Sequence, residues 1–330
     1  MDERKQALTA WLTRQPGLAP FSLELASGDA SFRRYFRIET PVGSFVAMDA
    51  PPENEHCAPF VKIAGALADL GLNVPRVYAE DLDRGWLLLS DLGSRHYLEE
   101  LNQSTVDRLY GDALSALVVI QACGPREGLP PYDRALLLRE MGLFREWLLL
   151  RQLSLALSPE DEAMLDRTFS LLADSALAQP RVCVHRDYHS RNLLVTDSPS
   201  PGILDFQDAL VGPVTYDPVS LLRDCYVAWP RERVAEWALG YLELAIQSGV
   251  LERVTERVYM RWFDLMGVQR HLKASGIFAR LNLRDRKPGY LADIPRTLGY
   301  IVELAPDYPE LAEIGALIGE RVLPALAQRQ

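Results

Sequence analysis

Three side chains suited to phosphate chemistry stand close together in one stretch of this chain. His185-Arg186-Asp187-Tyr188-His189-Ser190-Arg191-Asn192 is followed, after a Ser/Pro-rich turn, by Ile203-Leu204-Asp205-Phe206-Gln207. Asp187 precedes Asn192 by five residues and Asp205 by eighteen. Phosphoryl transfer from ATP requires such a set. One carboxylate orients the attacking hydroxyl and accepts its proton, while an amide and a second carboxylate hold magnesium on the phosphates. Asp187 is the expected base, and Asn192 and Asp205 are the expected magnesium ligands. His185 is expected to brace the loop by hydrogen bonds.

Short elements must position these groups. Arg181-Val182-Cys183-Val184 is apolar and β-branched, as a buried strand should be. Asn192-Leu193-Leu194-Val195 reads as a second short strand, residues 196–201 as a turn, and Gly202-Ile203-Leu204 as a third strand that ends on Asp205. Upstream, residues 2–14 read as a helix, and residues 21–50 as strands, the first two alternating and the third apolar. A helix over 58–70 and strands near 74–78 and 86–89 follow. From Leu92 the pattern is mainly helical. Ser104 with Asp107 reads as a capping box, and Ser158-Pro159-Glu160 as a helix start. The fold class is therefore α+β and bilobal, protein-kinase-like. A small β-rich lobe with one helix, residues 1–91, would bind nucleotide. A larger, mainly helical lobe, residues 92–330, would carry catalysis and substrate binding.

Within the first lobe, Ser27-Gly28-Asp29-Ala30-Ser31 is a small-residue turn between strands. Backbone N–H groups at Ser27, Gly28 and Ser31 could cradle ATP phosphates. The crossover at Leu89 and Asp91 would offer backbone donors and acceptors to adenine. Protein kinases place a lysine on the third strand, in a Val-Ala-Ile-Lys pattern, against the phosphates. The matching stretch here is Val46-Ala47-Met48-Asp49. A carboxylate cannot do that work, so either the register is offset or another cation serves. Arg33, Tyr35 and Arg37 share one strand face and Arg34 points the other way. Arg33, Arg34 and Arg37 are the nearest candidate cations, with Arg33 and Arg37 facing one environment and Arg33 among the expected nucleotide-binding residues.

Composition narrows the partners. A chain of 330 residues is long enough for about two domains. Its net charge of −10 weighs against nucleic acid or an anionic membrane as partner. No apolar run approaches a membrane span, and the first residues lack the apolar block of a signal peptide. The four cysteines lack paired spacing, which suits a reducing compartment. A cytoplasmic, monomeric enzyme is expected. Arginine outnumbers lysine, 31 to four, which codon bias alone would explain.

The assembled motifs resemble the aminoglycoside phosphotransferase and choline kinase superfamily. In that family the residues matching Asp187, Asn192 and Asp205 are the catalytic base and the magnesium ligands. A closer resemblance is to bacterial anomeric kinases acting on N-acetylmuramate and N-acetylglucosamine in cell-wall (peptidoglycan) recycling. It rests on residues 31–37, Met48-Asp49-Ala50-Pro51-Pro52, residues 185–192, and Asp205-Phe206-Gln207-Asp208-Ala209. That resemblance implies ATP-dependent transfer to the C1 hydroxyl of an amino sugar, with magnesium as cofactor, and implies that Asp49 is normal in the group. Acceptor contacts are expected from His189, Arg191, Tyr216 and Arg223. The polar helix carrying Trp262, Gln269, Arg270, His271 and Lys273 is a further source. Alternatives are another acceptor (an aminoglycoside, choline, homoserine or another sugar) or a silent ATP-binding module. Asp187→Asn is expected to keep ATP binding and lose most turnover, about 100-fold or more. Wild-type-like turnover in a steady-state assay would refute the base assignment.

Overall fold

The structure is a computed structural model and describes residues 2–28 and 33–329. The chain runs through α1 (Glu3–Thr13), β1 (Ser22–Gly28), β2 (Arg34–Thr40), β3 (Gly43–Asp49), α2 (Ala58–Asp69), β4 (Val77–Asp81) and β5 (Trp86–Ser90). Helices α3 (Tyr97–Glu100), α4 (Val106–Cys123), α5 (Arg134–Leu143) and α6 (Pro159–Leu177) follow. Then come β6 (Arg181–Val184), β7 (Leu193–Leu194), β8 (Gly202–Ile203) and β9 (Leu210–Pro213). The remainder is helical: α7 (Tyr216–Leu222), α8 (Arg231–Gln247), α9 (Glu256–Asp285), α10 (Ile294–Leu304), α11 (Ala312–Leu317) and α12 (Leu323–Ala327). By its contacts the chain forms two compact units, residues 1–100 with 192–208, and residues 101–191 with 209–330.

The first unit is built on an antiparallel sheet of order β1-β2-β3-β5-β4. Alternation sorts its side chains by face. Phe36 and Ile38 of β2, Ala47 of β3, and Trp86 and Leu88 of β5 are buried with Leu8, Trp11 and Leu12 of α1. Arg34 pairs with Asp49, and Asp49 with Trp86, so these three belong to the same α1-covered face. Arg33, Tyr35 and Arg37 have the opposite parity. The β7–β8 hairpin joins this unit through backbone bonds, Ile203 N to Asn73 O at 2.8 Å and Val195 N to Arg95 O at 2.8 Å. Phe206, just beyond, packs on Phe60 of α2 with ring centroids 4.9 Å apart.

In the second unit α9 is the central element. Its buried residues run from Tyr259 to Leu281 and include both apolar and charged side chains. A helix enclosed on most sides needs close neighbours, and Gly276 provides one such approach. A Cβ there would lie 2.3 Å from the carbonyl carbon of Leu143 and 2.4 Å from the nitrogen of Phe144. At that point α5 passes into a wider π-helical stretch, Phe144–Gln152.

Local signals fared unevenly. Ser158 and Asp161 form the capping box of α6, as the Ser-Pro-Glu start suggests. The expected box at Ser104 does not form. Asn102 Oδ1 captures both the Ser104 nitrogen, at 2.9 Å, and its Oγ, at 2.6 Å, and the helix opens one residue later, after Thr105. Strand β6 pairs with β9, whose Gly-Pro ending hides it from pattern reading.

Gly276→Ala would ordinarily stabilise a helix by about 1 kcal/mol. Here the methyl meets backbone, so we expect a net loss of about 2–3 kcal/mol in a urea melt. An unchanged midpoint would show that α9 and the α5 end can separate freely.

Candidate active site

The Asp187 loop leaves β6 and turns sharply, with Arg186 in the left-handed region at φ 78°. Such a conformation in a non-glycine residue persists only where neighbours enforce it. Asp217 of α7 enforces it here. Its Oδ2 accepts the His185 N–H at 2.7 Å and its Oδ1 the Arg186 N–H at 3.0 Å. Burial pushes the Asp217 carboxyl up, against the opposing pull of these two N–H groups and Arg270, to about 7. The His185 ring takes the Asp187 N–H at 3.3 Å, the bracing role expected of it. Tyr188 is fully buried and donates to the Ala113 carbonyl of α4 at 2.7 Å. Asp224 then accepts the Ser190 N–H at 2.8 Å. Successive residues of the loop are thus fastened to α4, α7 and the segment after α7.

Beside this loop lies a group of buried charges. Glu140 of α5 takes Arg186 at 2.5 Å and Lys273 of α9 at 3.3 Å, and accepts a hydrogen bond from Tyr132. Lys273 also donates to the Tyr216 hydroxyl at 2.8 Å. Burial alone would raise the Asp187 carboxyl. Lys273, with His189, Arg186 and Arg270, more than reverses this and holds it below the ordinary carboxylate range. Burial likewise opposes the charge on Lys273, but Glu140 and Tyr216 keep it protonated. Asp187 is therefore an anion in a field of cations, able to accept a hydrogen bond and only weakly basic.

In the first unit Asn192 and Asp205 come together. Leu204 N bonds the Asn192 carbonyl at 2.9 Å, and Asn192 Nδ2 lies 3.3 Å from Asp205 Oδ2. Asp205 is itself left-handed, φ 63°, and its Oδ1 accepts from Gln207 at 2.6 Å. Among the described residues no cluster of three His, Cys, Asp or Glu side chains could cage a metal. A carboxylate and an amide, both hard oxygen donors, suit magnesium, which keeps waters and takes its remaining oxygens from substrate phosphates.

The arginines separate clearly. Asp49 is wholly buried and accepts from Arg4 Nε at 2.7 Å, Arg34 Nη2 at 2.5 Å and Trp86 Nε1 at 3.0 Å. It ties α1 to the sheet on the α1-covered face, opposite in parity to Arg33. Arg37 is bound to Asp91 at 2.7 Å. Arg33 instead meets Glu55 at 2.7 Å, and its Nη1 lies 3.8 Å from Asp205 Oδ1. Glu55, the second of two acids after Pro51-Pro52, carried no signal in the sequence.

The other expected positions sort as follows. Ser27 and Gly28 end β1, paired with Tyr35 and Arg34, and Ser31 lies outside the described residues. Leu89 is buried within β5, and the Asp91 carboxylate is engaged by Arg37 and the Gly93 N–H. His189 meets Tyr226 edge-on at 5.4 Å. The Arg191 guanidinium lies 3.8 Å from the centre of the Tyr226 ring and 5.3 Å from that of Tyr290. Tyr216 is buried under Lys273, and Arg223 is buried in an ion pair with Asp264 at 2.5 Å. These contacts hold both residues in place on α7 and at its end.

The chain matches the model of the phosphotransferase enzyme family over residues 22–257, and it belongs to that family. It is a kinase. It is 49% identical to the N-acetylmuramate/N-acetylglucosamine kinase of Pseudomonas putida, over 97% of each chain. It is 48% identical to the protein of the same name in Pseudomonas aeruginosa, over 96% of each. Its fold is that of choline kinase LicA from Streptococcus pneumoniae, with a TM-score of 0.62, 13% identity, and 90% and 98% of the two chains covered. An ethanolamine kinase from Plasmodium vivax gives 0.66 at 11% identity, covering 93% and 89%.

If Asp49 is framework, Asp49→Ala should lower stability by about 2–4 kcal/mol, because Trp86 and two arginines lose their acceptor. Turnover per folded molecule should stay within about threefold. Urea melts with active-site titration test this, and a selective loss of turnover would return Asp49 to the nucleotide site.

Proposed function

We propose that this kinase transfers the γ-phosphoryl group of ATP to the anomeric C1 hydroxyl of N-acetylmuramate and N-acetylglucosamine, and that it serves peptidoglycan recycling. The observation that carries the reading is the 49% identity, over nearly full length, to a kinase named for those two sugars. The intact Asp187, Asn192 and Asp205 set supports a working enzyme.

The roles follow from the chemistry. An anomeric hydroxyl is more acidic than a plain alcohol. Asp187, held below the usual carboxylate range, suits a proton transfer that comes late, as the phosphoryl group departs. Its loop is fixed by Asp217 and Asp224, so the carboxylate is oriented before substrate arrives. Asn192 and Asp205 would hold magnesium, which supplies charge neutralisation on the phosphate oxygens. Arg33, oriented by Glu55, supplies the cation that a third-strand lysine gives elsewhere. The ends of β1 and β5, at Ser27, Gly28, Leu89 and Asp91, flank the nucleotide. His189 and Arg191 contribute to the acceptor side, with Tyr226 as an aromatic surface.

Phosphorus NMR of the product from magnesium-ATP with each sugar tests the reading. We expect a sugar phosphate whose phosphorus couples to the anomeric proton, absent with Asp187→Asn. Phosphorylation of choline or an aminoglycoside, with none of either sugar, would overturn it.

A further inference from the structure

Arg270 of α9 is a buried cation that its surroundings do not answer. It is 5% exposed. Its hydrogen bond among the described residues runs from Nη1 to the Sγ of Cys225, at 3.6 Å. Its Nε is buried without a partner, and among the described residues it forms no ion pair. The other buried cations of this unit are answered: Arg223 by Asp264, Arg186 and Lys273 by Glu140. A guanidinium presents five donors, and a thiol is a poor acceptor for one of them. Leaving such a group unmatched is costly, so its persistence calls for a ligand.

Its position says which part of a ligand. Cys225 adjoins Asp224, whose carboxylate holds the Ser190 N–H of the Asp187 loop. One turn on, Lys273 reaches Tyr216 and, through Glu140, Arg186 beside Asp187. The nearby carboxylates are already occupied by backbone N–H groups: Asp217 by His185 and Arg186, Asp224 by Ser190 and Tyr226. Their charges still reach Arg270, as does that of Asp187, so a neutral acceptor oxygen is enough. So enclosed a side chain admits a single oxygen more readily than a bulky anion. When the C1 hydroxyl of an N-acetylated amino sugar is at Asp187, the substituent next to it is the 2-acetamido group. Its carbonyl oxygen is common to both sugars.

Resting on the proposed sugar kinase activity, we infer that Arg270 donates to the 2-acetamido carbonyl of the acceptor and so selects N-acetylated amino sugars over plain hexoses. The contact is made in ground state and transition state alike, so it acts on KM more than on kcat.

The test compares N-acetylglucosamine with glucose, which carries a hydroxyl in place of the acetamido group, as substrate or competitive inhibitor. Arg270→Met should raise KM for N-acetylglucosamine by about 10- to 100-fold, the range of a hydrogen bond to a charged group. Any change Arg270→Met makes to the field at Asp187 falls on both sugars alike, so the ratio of kcat/KM for N-acetylglucosamine to that for glucose should fall by about 10-fold or more. Arg270→Lys should keep part of the discrimination. The melting temperature of Arg270→Met, without sugar, should stay high enough that the enzyme is fully folded in the assay. An equal loss for both sugars, or a loss confined to kcat, would each overturn the inference. If wild type phosphorylates neither N-acetylated sugar, the parent reading fails and takes this one with it. If wild type does so and Arg270→Met still discriminates, this inference alone fails.

Discussion

One carboxylate, that of Asp217, receives two consecutive backbone N–H groups, and the conformation of the Asp187 loop depends on it. The N–H groups of His185 and Arg186 would otherwise be stranded where β6 stops pairing, in a place closed to water. With both oxygens so used, the chain is turned through the left-handed Arg186, and Asp187 leaves the strand in a set direction. Charge is accepted in the interior so that geometry is fixed. Burial resists the Asp217 anion, and the N–H dipoles of the loop it holds oppose that resistance.

The same exchange recurs in each unit. Asp49 in the first and Glu140 in the second are buried acids surrounded by several donors. Asp49 joins α1 to three strands of the sheet through Arg4, Arg34 and Trp86. Glu140 joins α5, α9 and the loop after β6 through Lys273, Arg186 and Tyr132. A buried ion pair adds little net stability over an apolar core of equal volume, but breaking one partner is severe. These acids therefore constrain which arrangements of helices and strands are tolerable. His271 is the contrasting case. Burial pushes its imidazole down to about 3, so it stays neutral, and its Nε2–H donates to the Arg223 carbonyl.

Much of this was legible from the chain. Asp187, Asn192 and Asp205 could be found because their spacing is short and the strands between them are strongly apolar. The sheet of the first unit was legible because one face is covered by α1 and the alternation is clean. What stayed hidden depends on contacts between residues far apart in sequence. Glu55 gains its meaning only from Arg33, 22 residues before it. Nothing local reveals that Tyr216 and Arg223 are partnered from α9 by Lys273 and Asp264. The Ser104 box failed for a local reason, since Asn102 competes for the same hydroxyl and amide.

The placement of Asp49 also bears on how dead kinases are recognised. A survey that scores the letter at a fixed position would count this aspartate as a lost lysine and file the chain as a pseudoenzyme. A sheet does not read letters by position. It reads odd and even, and a shift of one residue exchanges inside for outside. On that criterion Asp49 belongs to the α1-covered face, while Arg33, of opposite parity, has its Nη1 3.8 Å from Asp205 Oδ1. Families whose third-strand lysine is missing are better sorted by which strand can lend a cation to the same face than by the absence itself.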